Sequence, residues 1–233
     1  MNDYIDMDND LSTRQSAVER ASFVRKTYFN LALALVGFGL LEAFLLSWPP
    51  SLAIAQKMTQ GNMWILVMLL FIGASHIANK MSLSPTSRGI QYAGLTLFVI
   101  VEAIIFLPIM LVANAVAPGA IVQAGVMTGA MVAGLTCVAV FSKSDFSFLR
   151  SSIVMVSWLA LGLIVCAVLF SFELGTWFSL AMIALASASI LYETGMIFKR
   201  YDTDQYVAAS LGLFASVILL YFYILRMLLN SRR

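Results

Sequence analysis

The sequence has one histidine, two cysteines and few charged residues among its 233 residues. Because haem and zinc are commonly held by several histidines, the single His76 excludes a bis-histidine haem site and a multi-histidine zinc centre. Cys137 and Cys166 match no metal-ligand spacing and no secreted disulfide framework. No lysine lies deep inside an apolar run, so a retinal Schiff base has no candidate. We therefore predict no metal and no cofactor.

Charge is also scarce, at 11% of residues with a net charge of +2. The basic residues are scattered among apparent loops, so no dense cationic surface is available to bind nucleic acid phosphates. The sequence also lacks a G-x-S-x-G nucleophile motif, a P-loop and a G-x-G-x-x-G turn after a strand. We predict that the protein binds no nucleic acid and is not an enzyme.

What the sequence has in abundance is apolar residues, at 61% of the chain with a mean hydropathy of +0.91. In hydrocarbon each backbone polar group must be satisfied within its segment, so an uncharged run of about 20 residues predicts a membrane-spanning helix. Seven such runs lie at 27–47, 62–78, 89–113, 120–142, 151–172, 175–198 and 205–228. The predicted fold is an all-α, multi-pass membrane protein with a seven-transmembrane-helix bundle.

The seven runs divide the chain into a polar N-terminal tail at 1–26, a transmembrane domain at 27–228 and a short basic tail at 229–233. The polar leader is too long for a cleavable signal peptide, and we interpret it as a mobile tail. Ten lysines and arginines lie in the tail and connections on the same side of the membrane as the N-terminus, and four lie on the opposite side. The excess of basic residues predicts a cytoplasmic N-terminus, with the C-terminus outside unless one run is re-entrant.

Ionisable residues at membrane depth are costly and suggest a functional role. Glu102 lies 13 residues after Gly89, which places it about 20 Å into its span and near the middle of the bilayer. It is a candidate proton or cation relay, and the equally weighted alternative is a protonated acid hydrogen-bonded to a neighbouring helix.

Two further ionisable residues lie nearer the predicted cytoplasmic boundary. Glu193 precedes Lys199 by six residues, or roughly 9 Å, a depth that suits either a gate or a side chain paired with Lys199 or Arg200. His76 ends the second run on the same side; it is a relay candidate, and the alternative is a histidine that is only hydrated or hydrogen-bonded at the interface.

At the opposite boundary, Glu42 near the end of the first run and Arg226 near the end of the last predict a structural ion pair. Small residues recur every four positions in the fourth run, at Gly125, Gly129 and Ala133. Such stripes allow close approach of helices, and we predict that this one packs within the bundle.

Seven short motifs occur in order along most of the chain. They are FVRKTYF at 23–29, GLTLF at 94–98, FLPI at 106–109, FSKSDFSFL at 141–149, ILYET at 190–194, YVAASL at 206–211 and YILR at 223–226. In these motifs the chain resembles the Bax inhibitor-1 family, also called the transmembrane Bax-inhibitor-motif family. Within that family it resembles the bacterial inner-membrane branch that modulates the FtsH protease.

This resemblance implies a bundle with the last helix in the centre, wrapped by the other six. In calcium-conducting members, an aspartate on the sixth helix and one on the seventh share a proton and form a pH-sensitive latch. Here Glu193 stands at the first position, and alignment on Arg226 puts Ser216 at the second. Such a pair lacks the two coupled carboxylates of the latch.

Three functional hypotheses follow. The first is an inner-membrane protein that modulates an FtsH-type AAA+ protease as a slow substrate or inhibitor. The alternative is a pH-sensitive calcium or proton leak channel that uses Glu102 and Glu193, with Ser216 and His76 as further relay candidates. A third interpretation is a helical scaffold whose buried acids only fix packing. Membrane lipid is a partner under all three.

Overall fold

The computed structural model describes residues 2–61, 63–85, 87–142, 146–170 and 172–231, with side chains described from Ala17 onward. These residues form eight α-helices and a 3₁₀ turn at Phe146–Phe148, and the described ranges contain no strand. The helices are α1 (Asn2–Ser47), α2 (Pro50–Thr59), α3 (Met63–Ser82), α4 (Arg88–Val116), α5 (Pro118–Phe141), α6 (Leu149–Phe170), α7 (Thr176–Lys199) and α8 (Tyr206–Asn230). Residues 143–145 of the FSKSDFSFL motif, and Arg232 and Arg233 of the basic tail, lie outside this description.

Local sequence explains several helix boundaries. The Ser87 side chain caps α4 by accepting a hydrogen bond from Ile90 N at 3.3 Å, as small polar residues do at N-caps. Pro50 and Pro118 are the first residues of α2 and α5, where a missing N–H costs nothing. Gly61, with a φ of 54°, turns the chain after α2 in the left-handed region that favours glycine.

Seven of the helices are long and apolar enough to cross a membrane, and α2 is the additional short one. The predicted number of spans is thus confirmed for the part of the chain that the structure describes. Hydropathy did not separate α2 from its surroundings because its ten residues mix apolar and polar types. The outer face of α1 exposes Phe29, Leu33, Val36 and Leu40, as expected for a helix whose solvent is lipid.

The last helix forms the core, as the resemblance implies. It is the most buried span and packs against α1, α3, α4, α5 and α7, whereas α6 packs mainly on α7 at the outside. The Phe214 ring makes edge contacts with Phe38 at 6.2 Å and Phe98 at 6.1 Å between centroids. These aromatic contacts join α8 to α1 and α4 at the middle of the bundle.

Helix α1 is continuous across the predicted boundary between tail and first span. Its 46 residues extend about 69 Å, more than twice the hydrocarbon thickness of about 30 Å. Packing begins before residue 27, because Phe23 is already buried and Arg20 contacts the α7–α8 loop. The segment from Arg20 to Ser47 is about 42 Å long, which matches a whole bilayer including its headgroups.

Helices α3 and α4 approach each other closely at Gly94. A methyl group at this position would stand 2.7 Å from the backbone oxygen of Ala78 and 2.9 Å from the backbone nitrogen of Ser82. Only glycine permits this spacing, so Gly94 fixes the packing of the α3–α4 hairpin.

Candidate functional site

The two ends of the bundle carry different polar groups. We call the end that holds Arg20, Tyr201 and Tyr206 the Tyr201 end. The opposite end, where α1 stops at Ser47, is the Trp48 end. Three of the predicted site residues lie at separate places between these two ends: Glu42, Glu102 and Glu193.

Glu193 lies where α7 crosses α8, toward the Tyr201 end. Its carboxylate rests on Gly212 of α8: a methyl group at Gly212 would stand 3.0 Å from Glu193 Oε2 and 3.1 Å from Cδ. The absence of a side chain at Gly212 therefore makes room for the carboxylate. Ser216, one turn along α8, donates from Oγ to Gly212 O at 3.2 Å. The structure thus places Glu193 and Ser216 around the same turn of α8.

Tyr201 closes this site from the α7–α8 loop. Its hydroxyl donates to Glu193 Oε2 at 3.3 Å, and its carbonyl accepts from the Arg20 guanidinium of α1. Burial, together with the neighbouring Glu193 carboxylate, raises the pKa of the Tyr201 phenol above its ordinary value. The phenol is therefore a stable proton donor to Glu193 at neutral pH.

A second arginine holds the same loop. Arg88, at the start of α4, forms an ion pair with Asp204 at 3.0 Å. Its guanidinium also lies 4.8 Å from the centre of the Tyr206 ring. Arg20 and Arg88 thus attach the α7–α8 loop to α1 and α4, which keeps Tyr201 over Glu193.

Glu102 lies apart from this cluster, on the buried face of α4. It is 7% exposed, one turn from Phe98 and one turn from Phe106, and both rings pack against aromatic residues of α8. Glu102 therefore sits in an aromatic part of the core and is not in the Glu193 cluster.

Glu42 is only 2% exposed, and neither of its carboxylate oxygens has a hydrogen-bond partner among the described residues. It lines a cavity of about 450 Å³ between α1, α4, α5 and α8. Thr128 Oγ1 of α5 lines the same cavity and is equally without a partner in the described structure.

The predicted ion pair between Glu42 and Arg226 is not formed, so that prediction is wrong. Arg226 Nη2 instead donates to Leu174 O at 2.7 Å, and its guanidinium lies 6.0 Å from the centre of the Phe178 ring. Arg226 also lines a separate cavity of about 370 Å³ together with Glu173. The residues share one end of the bundle, but they face different helices.

The glycine stripe of α5 also departs from its prediction. Gly125 and Gly129 line the Glu42 cavity, and a methyl group at either would meet no atom within 4 Å. These glycines therefore border open space, and the prediction that they pack against another helix is wrong.

His76 is exposed near the end of α3 and contributes to none of these clusters. Neither cavity has Glu102, Glu193 or Ser216 among its described lining residues. Within the described ranges, no group of three or more histidine, cysteine, aspartate or glutamate side chains is placed to hold a metal ion. Of the predicted relay residues, Glu193 and Ser216 thus share one turn of α8, whereas Glu102 and His76 lie elsewhere.

The chain matches the family model described as "Inhibitor of apoptosis-promoting Bax1" over residues 20–233. The chain belongs to the Bax inhibitor-1 family. The match begins at Arg20, whose guanidinium contacts the α7–α8 loop at Tyr201 O. No curated protein matches the chain. The central position of α8 agrees with what the resemblance implies for this family.

Several residues of these sites were not predicted from the sequence. Tyr201 and Gly212 complete the Glu193 site, and Thr128 and Tyr221 line the Glu42 cavity. A tyrosine directly after Lys199 and Arg200 was a usable signal, since a polar aromatic residue in a short loop often contacts a helix end. Gly212 gave no such signal, because a glycine within an apolar helix has no side chain that indicates which neighbour it contacts.

Proposed function

We propose that this protein modulates an FtsH-type AAA+ membrane protease, acting as a slow substrate or inhibitor in the bacterial inner membrane. The observation that carries the proposal is the shape of α1. Residues 2–19 extend the helix beyond the segment that spans the bilayer, and the family match begins only at Arg20. A segment outside the bundle gives a protease a place to bind and pull.

Resistance to extraction comes from the bundle itself. Pulling on α1 would have to remove Phe23, Leu31 and Phe38, which are buried against the rest of the core. It would also uncover α8, which five helices surround. A protease that engages such a substrate is occupied for a long time, and this is how a slow substrate inhibits.

Removal of residues 2–16 tests the proposal, because it spares Arg20 and its contact with Tyr201. Turnover should slow in cells that contain the protease and stay unchanged in cells that lack it. Replacement of the same residues by a glycine-serine segment of equal length controls for length. Equal turnover of the truncated and full-length proteins would refute the proposal.

The second part of the proposal, resistance to extraction, is tested by a pair of phenylalanine variants on α1. Phe38 is 6% exposed and Phe29 is 69% exposed. Loss of a buried phenylalanine costs about 3–5 kcal/mol of stability, whereas loss of an exposed one costs little. Phe38→Ala should be degraded several times faster than the parent protein, and Phe29→Ala at the parent rate.

A leak for calcium or protons is the second candidate, favoured by the Glu193 site. The Tyr201 hydroxyl and the Gly212 surface enclose the carboxylate at the Tyr201 end, an arrangement suited to a gate. Reconstituted protein should then give a pH-dependent flux that falls in Glu193→Gln and Glu102→Gln. A flux equal to that of empty vesicles would dismiss this candidate.

A further inference from the structure

The Glu42 cavity contains unpaired polar atoms in an otherwise apolar space. Both Glu42 oxygens and Thr128 Oγ1 are buried without a hydrogen-bond partner among the described residues. An unpaired buried polar atom costs free energy, and a carboxylate costs most. The remaining walls are mainly aliphatic and aromatic, including Leu35, Phe38 and Ile218.

Tyr221 adds a third acceptor. Its ring lines the cavity, and its hydroxyl contacts Ile121 O at 3.5 Å and Met110 Sδ at 3.7 Å. Once the hydroxyl proton is directed to one of these acceptors, the oxygen keeps lone pairs for a donor. Glu42, Thr128 and Tyr221 therefore supply acceptors from α1, α5 and α8. A primary ammonium group has three N–H donors to match them.

The cavity is accessible from the lipid side. Gly39 and Ala43 on α1, and Gly125 and Gly129 on α5, line it and are themselves exposed. Because these residues are small, they leave a gap between two helices that pack mainly on other partners. An apolar molecule dissolved in the bilayer thus has a path to Glu42.

The charge of the lining selects among amphiphiles. None of the described lining residues carries a positive charge, and Glu42 is the one acid among them. A phospholipid headgroup would place its phosphate beside Glu42 with no cation to balance it. An alcohol would leave most of the carboxylate's hydrogen-bonding capacity unused. An aliphatic chain that carries a single positive charge therefore fits the lining of this cavity.

The depth of Glu42 in the membrane also fits an amphiphile whose charged group lies near the interface. Glu42 lies five residues before Ser47, or about 7.5 Å from the end of α1. Leu35 lies seven residues earlier, about 10 Å further toward the middle of the bilayer. A charged group at Glu42 is thus near the interface, and a chain along Phe38 and Leu35 points into the hydrocarbon.

We infer that the cavity between α1 and α5 is a binding site for an aliphatic primary amine. The ammonium group binds Glu42, Thr128 and Tyr221, and the chain lies against Leu35 and Phe38. The volume of about 450 Å³ is within the range of about 300–1,000 Å³ usual for small-molecule sites.

Binding of radiolabelled decylamine to the full chain in phosphatidylcholine nanodiscs tests this inference, with empty nanodiscs subtracted. Saturable binding is expected for the parent protein, and at least tenfold weaker binding for Glu42→Gln. Thr128→Val, which keeps the shape and removes the hydroxyl, should weaken binding severalfold. Glu102→Gln is the matched control, since it removes a buried glutamate outside the cavity, and it should bind as the parent does.

A second variant keeps the test independent of any change in folding at Glu42. Gly129→Leu fills the cavity from its rim and leaves Glu42 itself unchanged, so it should abolish binding while the protein keeps its helical circular dichroism. Equal binding by the parent protein, Glu42→Gln and Gly129→Leu would overturn the inference. Displacement of decylamine by an equal concentration of decanol or of calcium would overturn the assigned ligand class.

Discussion

Glu193 rests its carboxylate on Gly212, and this contact joins the last two helices of the bundle. A methyl group at Gly212 would meet three atoms of that carboxylate group between 3.0 and 3.3 Å away. The neighbour is a flexible side chain, so it moves instead of blocking the substitution. Gly212→Ala should therefore displace Glu193 from Tyr201 while leaving the fold intact.

We expect Gly212→Ala to change thermal stability in detergent by about 1 kcal/mol or less, because the helix gains from alanine what it loses at the contact. The loss of the Tyr201 contact should appear as faster hydrogen exchange in the α7–α8 loop. Gly162→Ala on α6 meets no atom within 4 Å and serves as the control. Identical loop exchange in both variants would contradict the proposed role of Gly212.

Tyr201→Phe removes the hydroxyl that donates to Glu193. A neutral hydrogen-bond partner is worth about 0.5–1.5 kcal/mol, so a modest loss of stability is expected at neutral pH.

The variant should also change the response of stability to pH. The pKa of the Tyr201 phenol is raised in the folded protein, because burial and the Glu193 carboxylate both disfavour the phenolate. The folded state then holds this proton more tightly than the unfolded state, so the stabilisation is present below the ordinary value of 10.0 and is lost as pH rises above it. Urea unfolding between pH 8 and pH 11.5 should show the parent protein losing stability relative to Tyr201→Phe only in the upper part of this range. If the stabilities of the two proteins changed in parallel over the whole pH range, this prediction would be wrong.

Gly94 should tolerate no larger residue. The atoms that a methyl group would meet at 2.7 Å and 2.9 Å belong to the backbone of α3 and cannot rotate away. Overpacking of this kind costs about 1–3 kcal/mol. Gly94→Ala should lower the melting temperature of the purified protein by several degrees.

Gly134→Ala provides the matched control for Gly94→Ala, because both glycines lie within spans and nothing lies within 4 Å of a methyl group at Gly134. Alanine is favoured over glycine in a helix by up to about 1 kcal/mol. This variant should therefore keep or raise the melting temperature. A fall in melting temperature as large as that of Gly94→Ala would mean that the close contact between α3 and α4 is not the cause of the destabilisation.

The sequence predicted the spans well and the contacts between them poorly, for a physical reason. A span is set by the hydropathy of one segment, so the seven crossings could be read from composition alone. A contact depends on how each helix is rotated about its axis, and a glycine has no side chain that would identify Gly212 as the partner of Glu193. Glu42 and Arg226 share a membrane depth but face different neighbours, which depth cannot reveal.

The direction of insertion follows from the charge asymmetry and can be tested with two single-cysteine proteins. We expect the Tyr201 end to face the cytoplasm, because basic connections are retained on that side. Val18, which is 69% exposed before the first contact of α1, and Lys57, which is exposed on α2, lie at opposite ends of the bundle. With Cys137 and Cys166 replaced by alanine, Lys57→Cys should react with a membrane-impermeant maleimide in intact spheroplasts. Val18→Cys should react only after the membrane is permeabilised, and the reverse pattern would place the Tyr201 end outside.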